Sequence, residues 1–201
     1  MNPDPAPVPC PQCGLDPQSS LACLHCSRLL EEAPGATHFQ RLGLPVGVVP
    51  DAAALERSYL RLSRLLHPDF HGASDESLRD LALRHSALLN EAYVTLGDPE
   101  SRAEYLLGLH DPQALDRWKQ LASEFLMTAM ETSEAVEQAG LSHDGDALAR
   151  LRREARAEID ARLASLADPA AWVSPDTRRL ATLLHELRVF RRILRDAERA
   201  A

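Results

Sequence analysis

A chain of 201 residues, 45% of them apolar, is long enough for one or two domains with real cores. Its net charge of −8 removes any general electrostatic case for a nucleic-acid or anionic-membrane partner. No apolar run approaches the roughly 18 residues that a membrane span needs. Met1 to Pro9 carries no Lys or Arg and no apolar stretch, so neither a secretory signal nor a transit peptide is expected. The compartment implied is the cytoplasm, of a bacterium by the simplest reading. Few aromatics and abundant Ala, Leu and Arg favour helix over strand.

All four cysteines fall in one short segment, as Cys10-x2-Cys13 and Cys23-x2-Cys26. In a reducing compartment this spacing points to metal rather than disulfides. Two CxxC turns can converge four thiolates into the closed tetrahedron that structural Zn2+ prefers. A redox CxxC pair or a labile iron site are the alternatives for the same residues. Gly14 permits the backbone turn around the first pair. Prolines at 3, 5, 7, 9, 11 and 17 deny the segment a core of its own, so metal is expected to be its main source of order. With four thiolates present, His25 reads as a surface imidazole. No Glu lies beside the cysteines and four ligands leave no open coordination position, which argues against a zinc hydrolase. Arg28 is the lone basic residue there, which argues against a nucleic-acid-binding finger.

Glu31 to Ala36 reads as a linker. Thr37 caps a short helix over His38 to Leu42, ended by Gly43. Leu44 to Pro50 is a loop with small apolar anchors. Asp51 caps a helix running to about Leu66, with Leu55, Tyr59, Leu62 and Leu66 on one face and Arg57, Arg61 and Arg64 on another. His67-Pro68-Asp69 then ends that helix, because proline disfavours a helical conformation in the residue before it. Ser74 or Asp75 caps the next helix. Its Leu78, Leu81, His85, Leu88, Ala92 and Leu96 lie at helical spacing, and Gly97-Asp98-Pro99 stops it. A short helix covers Glu100 to Leu109 and docks Tyr105, Leu106 and Leu109 on the preceding pair.

Three further helices follow, over about 112–139, 144–166 and 174–198, the last capped by Ser174 with Pro175 in its first turn. Short connections make them an antiparallel three-helix bundle. In the first, Leu121, Phe125, Ala129, Thr132 and Val136 form a core stripe. Leu126, Met127 and Met130 widen the apolar arc beside Glu131, Glu134 and Glu137. That arc is either core, hidden by two neighbours, or an adaptable protein-binding surface. Arg178, Arg179, Arg188, Arg191, Arg192, Arg195 and Arg199 load the last helix, some paired with acidic neighbours.

Two antiparallel helices joined by His67-Pro68-Asp69 resemble a DnaJ-type J-domain, over His38 to Leu109. Leu89-Asn90-Glu91-Ala92-Tyr93 and Asp98-Pro99-x-Ser101-Arg102-Ala103-Glu104-Tyr105-Leu106-Leu107 are similar to the HscB branch of that family. Phe125-Leu126-Met127 is similar to the start of its C-terminal bundle, and the double CxxC to HscB forms with a zinc-binding extension. The resemblance implies an all-α fold: a zinc-ribbon-like four-cysteine extension and linker over 1–34, a J-domain over 35–110 and a three-helix bundle over 111–201. It implies a co-chaperone, not itself an enzyme. Such a protein brings an iron–sulfur cluster scaffold protein to a DnaK/HscA-type ATPase chaperone and stimulates that partner's ATP hydrolysis. His67, Pro68 and Asp69, with Arg57, Arg61 and Arg64, would then dock on the chaperone. Leu126, Met127, Met130, Glu131, Glu134 and Val189 would hold the scaffold. The metal ligands would be Cys10, Cys13, Cys23 and Cys26, and neither nucleic acid nor membrane is a partner. The rival is a general J-domain co-chaperone with another client.

Overall fold

The computed structural model describes residues 8–48, 51–67, 69 and 76–200. Pro68, Phe70 and the proposed caps Ser74 and Asp75 lie outside the described residues, as do the first three prolines of the N-terminal segment. The elements are helical, and the one extended pairing among the described residues is an isolated antiparallel bridge between Ala22 and Leu29. No described helix is long and apolar enough to cross a membrane. The chain parts into two compact units, Met1–Arg102 and Ala103–Ala201.

In the first unit, α1 (His38–Leu42) is closed at both ends by its own sequence. Thr37 Oγ1 accepts from the Gln40 amide at 3.2 Å and Gln40 Oε1 accepts from the Thr37 amide at 2.9 Å, a reciprocal capping box. Gly43 then takes the left-handed φ of 65°. A side chain here would also collide with the Gln18 carbonyl, 2.3 Å from the place of its Cβ. The helix α2 (Ala52–Leu65) starts at Asp51, whose Oδ1 accepts from Ala53 N at 2.9 Å. Leu55, Leu62 and Leu66 are buried as the spacing predicts, and Tyr59 stacks on Tyr93 with ring centroids 4.1 Å apart.

The partner helix α3 (Glu76–Gly97) buries Leu81, Ala82, His85, Leu89, Ala92 and Leu96 against α1 and α2. Leu78 is exposed and Leu88 only partly buried; Ala82 and Leu89 complete the inward stripe, because that face is wider than one row. Ser86 Oγ donates to the Leu66 carbonyl at 3.1 Å, which ties down the end of α2 where the His-Asp turn begins. Arg102, in α4 (Pro99–His110), is 8% exposed. Its guanidinium donates to the carbonyls of Val48 at 2.7 Å and Leu96 at 2.6 Å, so it is a buried strut between a loop and a helix end. Burial lowers its pKa, and it remains charged.

The second unit is a bundle of α6 (Ser123–Leu141), α7 (Gly145–Ala167) and α9 (Thr177–Arg199), preceded by the short α5 (Ala114–Arg117). Its core holds Val136, Leu148, Leu151, Ile159, Leu166, Leu180, Leu184, Leu187, Phe190 and Ile193. Ala155, Ala181 and Ala197 are fully enclosed and let α7 and α9 approach closely. Two sequence boundaries are corrected. The helix expected over 112–139 is broken: α5 ends at Arg117, with Trp118 as its C-cap, and Ala122 is extended at ψ 141° before α6 starts. The break lets Trp118 lie on the core with the Arg178 guanidinium 5.2 Å from its ring centre, while His185 Nε2 meets the Leu115 carbonyl at 3.0 Å. The last helix is capped by Asp176, whose Oδ1 accepts from Arg179 N at 3.0 Å, not by Ser174. Ser174 instead ends an unforeseen turn, α8 (Ala170–Val173), whose Trp172 indole donates to the Leu166 carbonyl and closes α7.

Candidate metal centre and docking surfaces

The cysteine segment builds the same turn twice. In the first, Gly14 N donates to the Cys10 carbonyl at 2.8 Å and Cys10 N to the Leu15 carbonyl at 2.8 Å. In the second, Ser27 N donates to the Cys23 carbonyl at 2.9 Å and Cys23 N to the Arg28 carbonyl at 2.8 Å. The residue after each second cysteine is left-handed, Gly14 at φ 73° and Ser27 at φ 61°. Two like turns facing one another bring the Sγ atoms of Cys10, Cys13, Cys23 and Cys26 within 4.8 Å of each other. Cys10–Cys26 and Cys13–Cys23 are each 3.6 Å apart. Four sulfurs at the usual Zn–S length sit about 3.8 Å from one another, so the arrangement fits a tetrahedral ion. His25 is exposed.

Thiols so crowded cannot all ionise unaided. The Cys10 thiol is lowered to about 6, chiefly by the backbone amide of Cys13. The Cys26 thiol is favoured as thiolate by the Arg28 backbone, yet burial and the neighbouring cysteines outweigh this and push it up to about 12. A bound cation would reverse that penalty and hold all four as thiolates.

The segment also has an apolar anchor, despite its prolines. Leu21, Ala22 and Leu29 are buried with Pro17, and Ser20 N donates to the α1 carbonyl of Gln40 at 3.0 Å. The stretch expected to be a linker is pinned as well, since Glu32 pairs with Arg41 at 2.8 Å. His85 of α3 sits beneath at 2% exposure, its Nδ1 without a partner among the described residues, and burial lowers its pKa.

At the end of α2, His67 and Asp69 are both exposed, with His67 Nδ1 3.7 Å from Asp69 Oδ2 and accepting from Asp69 N at 3.3 Å. On the exposed side of α2, Arg57 lies 3.6 Å from Asp51, and Arg61 donates to the Leu24 carbonyl at 2.6 Å. Arg57, Arg61 and Arg64 line an open groove with Leu24, Ser27, Leu60 and Leu65. One arginine of the three is therefore already engaged with the second cysteine turn.

On the bundle, the choice between core and surface is decided. Leu126 is 43% exposed, and Met127 and Met130 are 62% exposed, while Ala129 and Val136 take the inward face. A shallow groove between α6 and α9 is lined by Leu126, Met130, Glu134 and Val189, with Ser133, Arg192, Ile193 and Asp196 added. Met127 and Glu131 stand exposed beside it. Sequence reasoning missed Arg192 and Asp196, which pair at 3.7 Å; their helical spacing from Val189 was the available signal.

Residues 121–198 match the model of the HSCB C-terminal oligomerisation domain. A co-chaperone protein HscB homolog from Burkholderia multivorans is 36% identical over 140 residues, spanning 67% of this chain and 79% of that protein. The human iron-sulfur cluster co-chaperone protein HscB is 34% identical over 118 residues, 58% of this chain and 50% of that protein. The crystal structure of human co-chaperone protein HscB superposes with a TM-score of 0.76 at 26% identity, covering 94% of this chain and 96% of the other. Chaperone HscB from Vibrio cholerae gives 0.67 at 27% identity, over 82% and 96%.

Proposed function

Because the chain belongs to the HscB co-chaperone family, we propose that it delivers an iron–sulfur cluster scaffold protein to a DnaK/HscA-type chaperone in cluster assembly and stimulates that chaperone's ATPase. The chain itself performs no bond chemistry. In this reading His67 and Asp69, with the Pro68 between them, form the docking turn at the end of α2. Arg57 and Arg64 bring positive charge that orients and speeds the encounter more than it tightens it. Cys10, Cys13, Cys23 and Cys26 hold a structural Zn2+, whose closed shell supplies order rather than reactivity. Thiols held for metal suit a reducing compartment, hence the cytoplasm.

The observation that carries the reading is the exposed arc of Leu126, Met127 and Met130 on a bundle whose inward positions are otherwise filled. Flexible Met and Leu side chains rimmed by Glu131 and Glu134 suit a partner with its own apolar knob and basic edge. Calorimetric titration of a purified scaffold tests it, beside a Leu126→Ser/Met127→Ser/Met130→Ser variant checked by circular dichroism. Micromolar binding, about −8 kcal/mol, is expected for the unaltered chain. A loss of about tenfold or more is expected in the folded variant. No binding by the unaltered chain would leave a J-domain co-chaperone with a different client.

A further inference from the structure

We propose that the second cysteine turn is a wall of the chaperone-docking surface, so that metal loading of the four-cysteine cluster sets the affinity for the chaperone. The inference rests on the co-chaperone reading above and adds a regulator to its docking site.

Leu24 directly follows the ligand Cys23, and its carbonyl accepts from Arg61 of α2 at 2.6 Å. Leu24 and Ser27 face Leu60, Arg57 and Arg64 across the open groove on α2. The groove thus takes one side from the cysteine turn and the other from the docking helix. Its floor is apolar, since Leu60 is 47% exposed, and its lining carries three arginines and, among the described residues, no carboxylate. An acidic face with an apolar ridge is the complement. The groove also adjoins the His-Asp turn along the chain: Arg64 and Leu65 of its lining come three and two residues before His67, whose amide donates to the Arg64 carbonyl. The occupant is therefore the same chaperone.

The metal enters through the backbone. The second turn is six residues long, Cys23 to Arg28, closed by two amide hydrogen bonds and a left-handed Ser27. A non-glycine residue in that conformation is costly unless the surroundings hold it. Cys23 and Cys26 are its two anchors on the ion, so losing the ion frees the turn that carries the Leu24 carbonyl. Arg61 then regains its rotamers and the groove loses one side, both of which weaken docking.

The test titrates the ATP-bound chaperone with four forms of the full chain: zinc-loaded, chelated, zinc-loaded Leu24→Glu, and zinc-loaded Asp69→Asn. Leu24→Glu keeps the backbone carbonyl and the ligands while placing a carboxylate in the basic groove. The chelated chain and Leu24→Glu are each expected to bind about tenfold more weakly than the loaded chain. Scaffold binding by the bundle should be unchanged throughout, and retained amide-exchange protection across α2 and α3 in each form shows that the helices of the first unit stay folded. Asp69→Asn should abolish chaperone binding; if it does not, the docking reading itself falls. If Asp69→Asn abolishes binding while Leu24→Glu binds as the loaded chain does, the wall is overturned. If chelation leaves the affinity unchanged, the metal coupling is overturned.

Discussion

The cysteine module and the C-terminal bundle are ordered by different means. The bundle encloses Leu148, Leu166, Leu180 and Leu184 almost completely and closes its helices with Asp144 and Asp176. The module buries little more than Pro17, Leu21, Ala22, Leu29 and two of its cysteines, and takes its shape from two like hydrogen-bonded turns around a site for an ion. Small segments cannot enclose enough apolar surface to offset chain entropy, whereas three long helices can. The difference shows in the docking surfaces as well. The bundle offers side chains left over from its packing, Leu126, Met127 and Met130. The module instead offers a backbone carbonyl, that of Leu24.

Metal removal should break the contrast most sharply. Structural zinc in small modules is worth on the order of 10 kcal/mol. Chelation should therefore raise amide hydrogen exchange across 10–30 by orders of magnitude while the bundle amides keep their protection. Uniform protection in the chelated chain would mean that Leu21 and Leu29 alone hold the module. The converse probe is Leu184→Ala, at a residue with no exposure. It should lower bundle stability by about 2–5 kcal/mol in urea titration and leave zinc affinity unaltered. Asp144→Ala removes an N-cap whose Oδ1 accepts from Ala147 N at 2.9 Å. That should cost about 1 kcal/mol in the bundle alone.

The smallest effect concerns the junction of the module with α3. His85 is held below its ordinary value of 6.5 by burial, with Arg84 acting the same way and Glu32, Glu31 and the Leu21 carbonyl opposing. His38 is lowered likewise, by burial and then by Arg41, against Glu91 and Glu32. For both, the unfolded chain binds protons more readily than the folded one. Their contribution is therefore fully present above pH 6.5 and lost as pH falls from there through the lowered folded values. Stability of the first unit, followed by exchange with zinc kept saturating, should drop below that pH. His85→Leu should flatten the drop, and an unchanged profile would show that the imidazole is not strained by its burial.

Much of this was legible from residue order. Thr37, Gly43 and Asp51 mark helix ends through local chemistry, and each acts where its type predicts. Four cysteines in two CxxC pairs foretell a cluster because short turns leave thiols few other directions. The helical period also identified the buried faces of α2 and most of α3. Tertiary structure decided what no local rule contains. Asp176, not Ser174, caps α9, because packing of Trp172 over the Leu166 carbonyl spends Ser174 on the preceding turn. The arc from Leu126 to Met130 is surface, because Ala129 and Val136 suffice to meet α7 and α9. Arg61 and Leu24, 37 positions apart, share a hydrogen bond that only the docking of the cysteine turn on α2 could create. Periodicity and capping are properties of neighbours in sequence; exposure and long-range pairing depend on which faces the folded chain brings together.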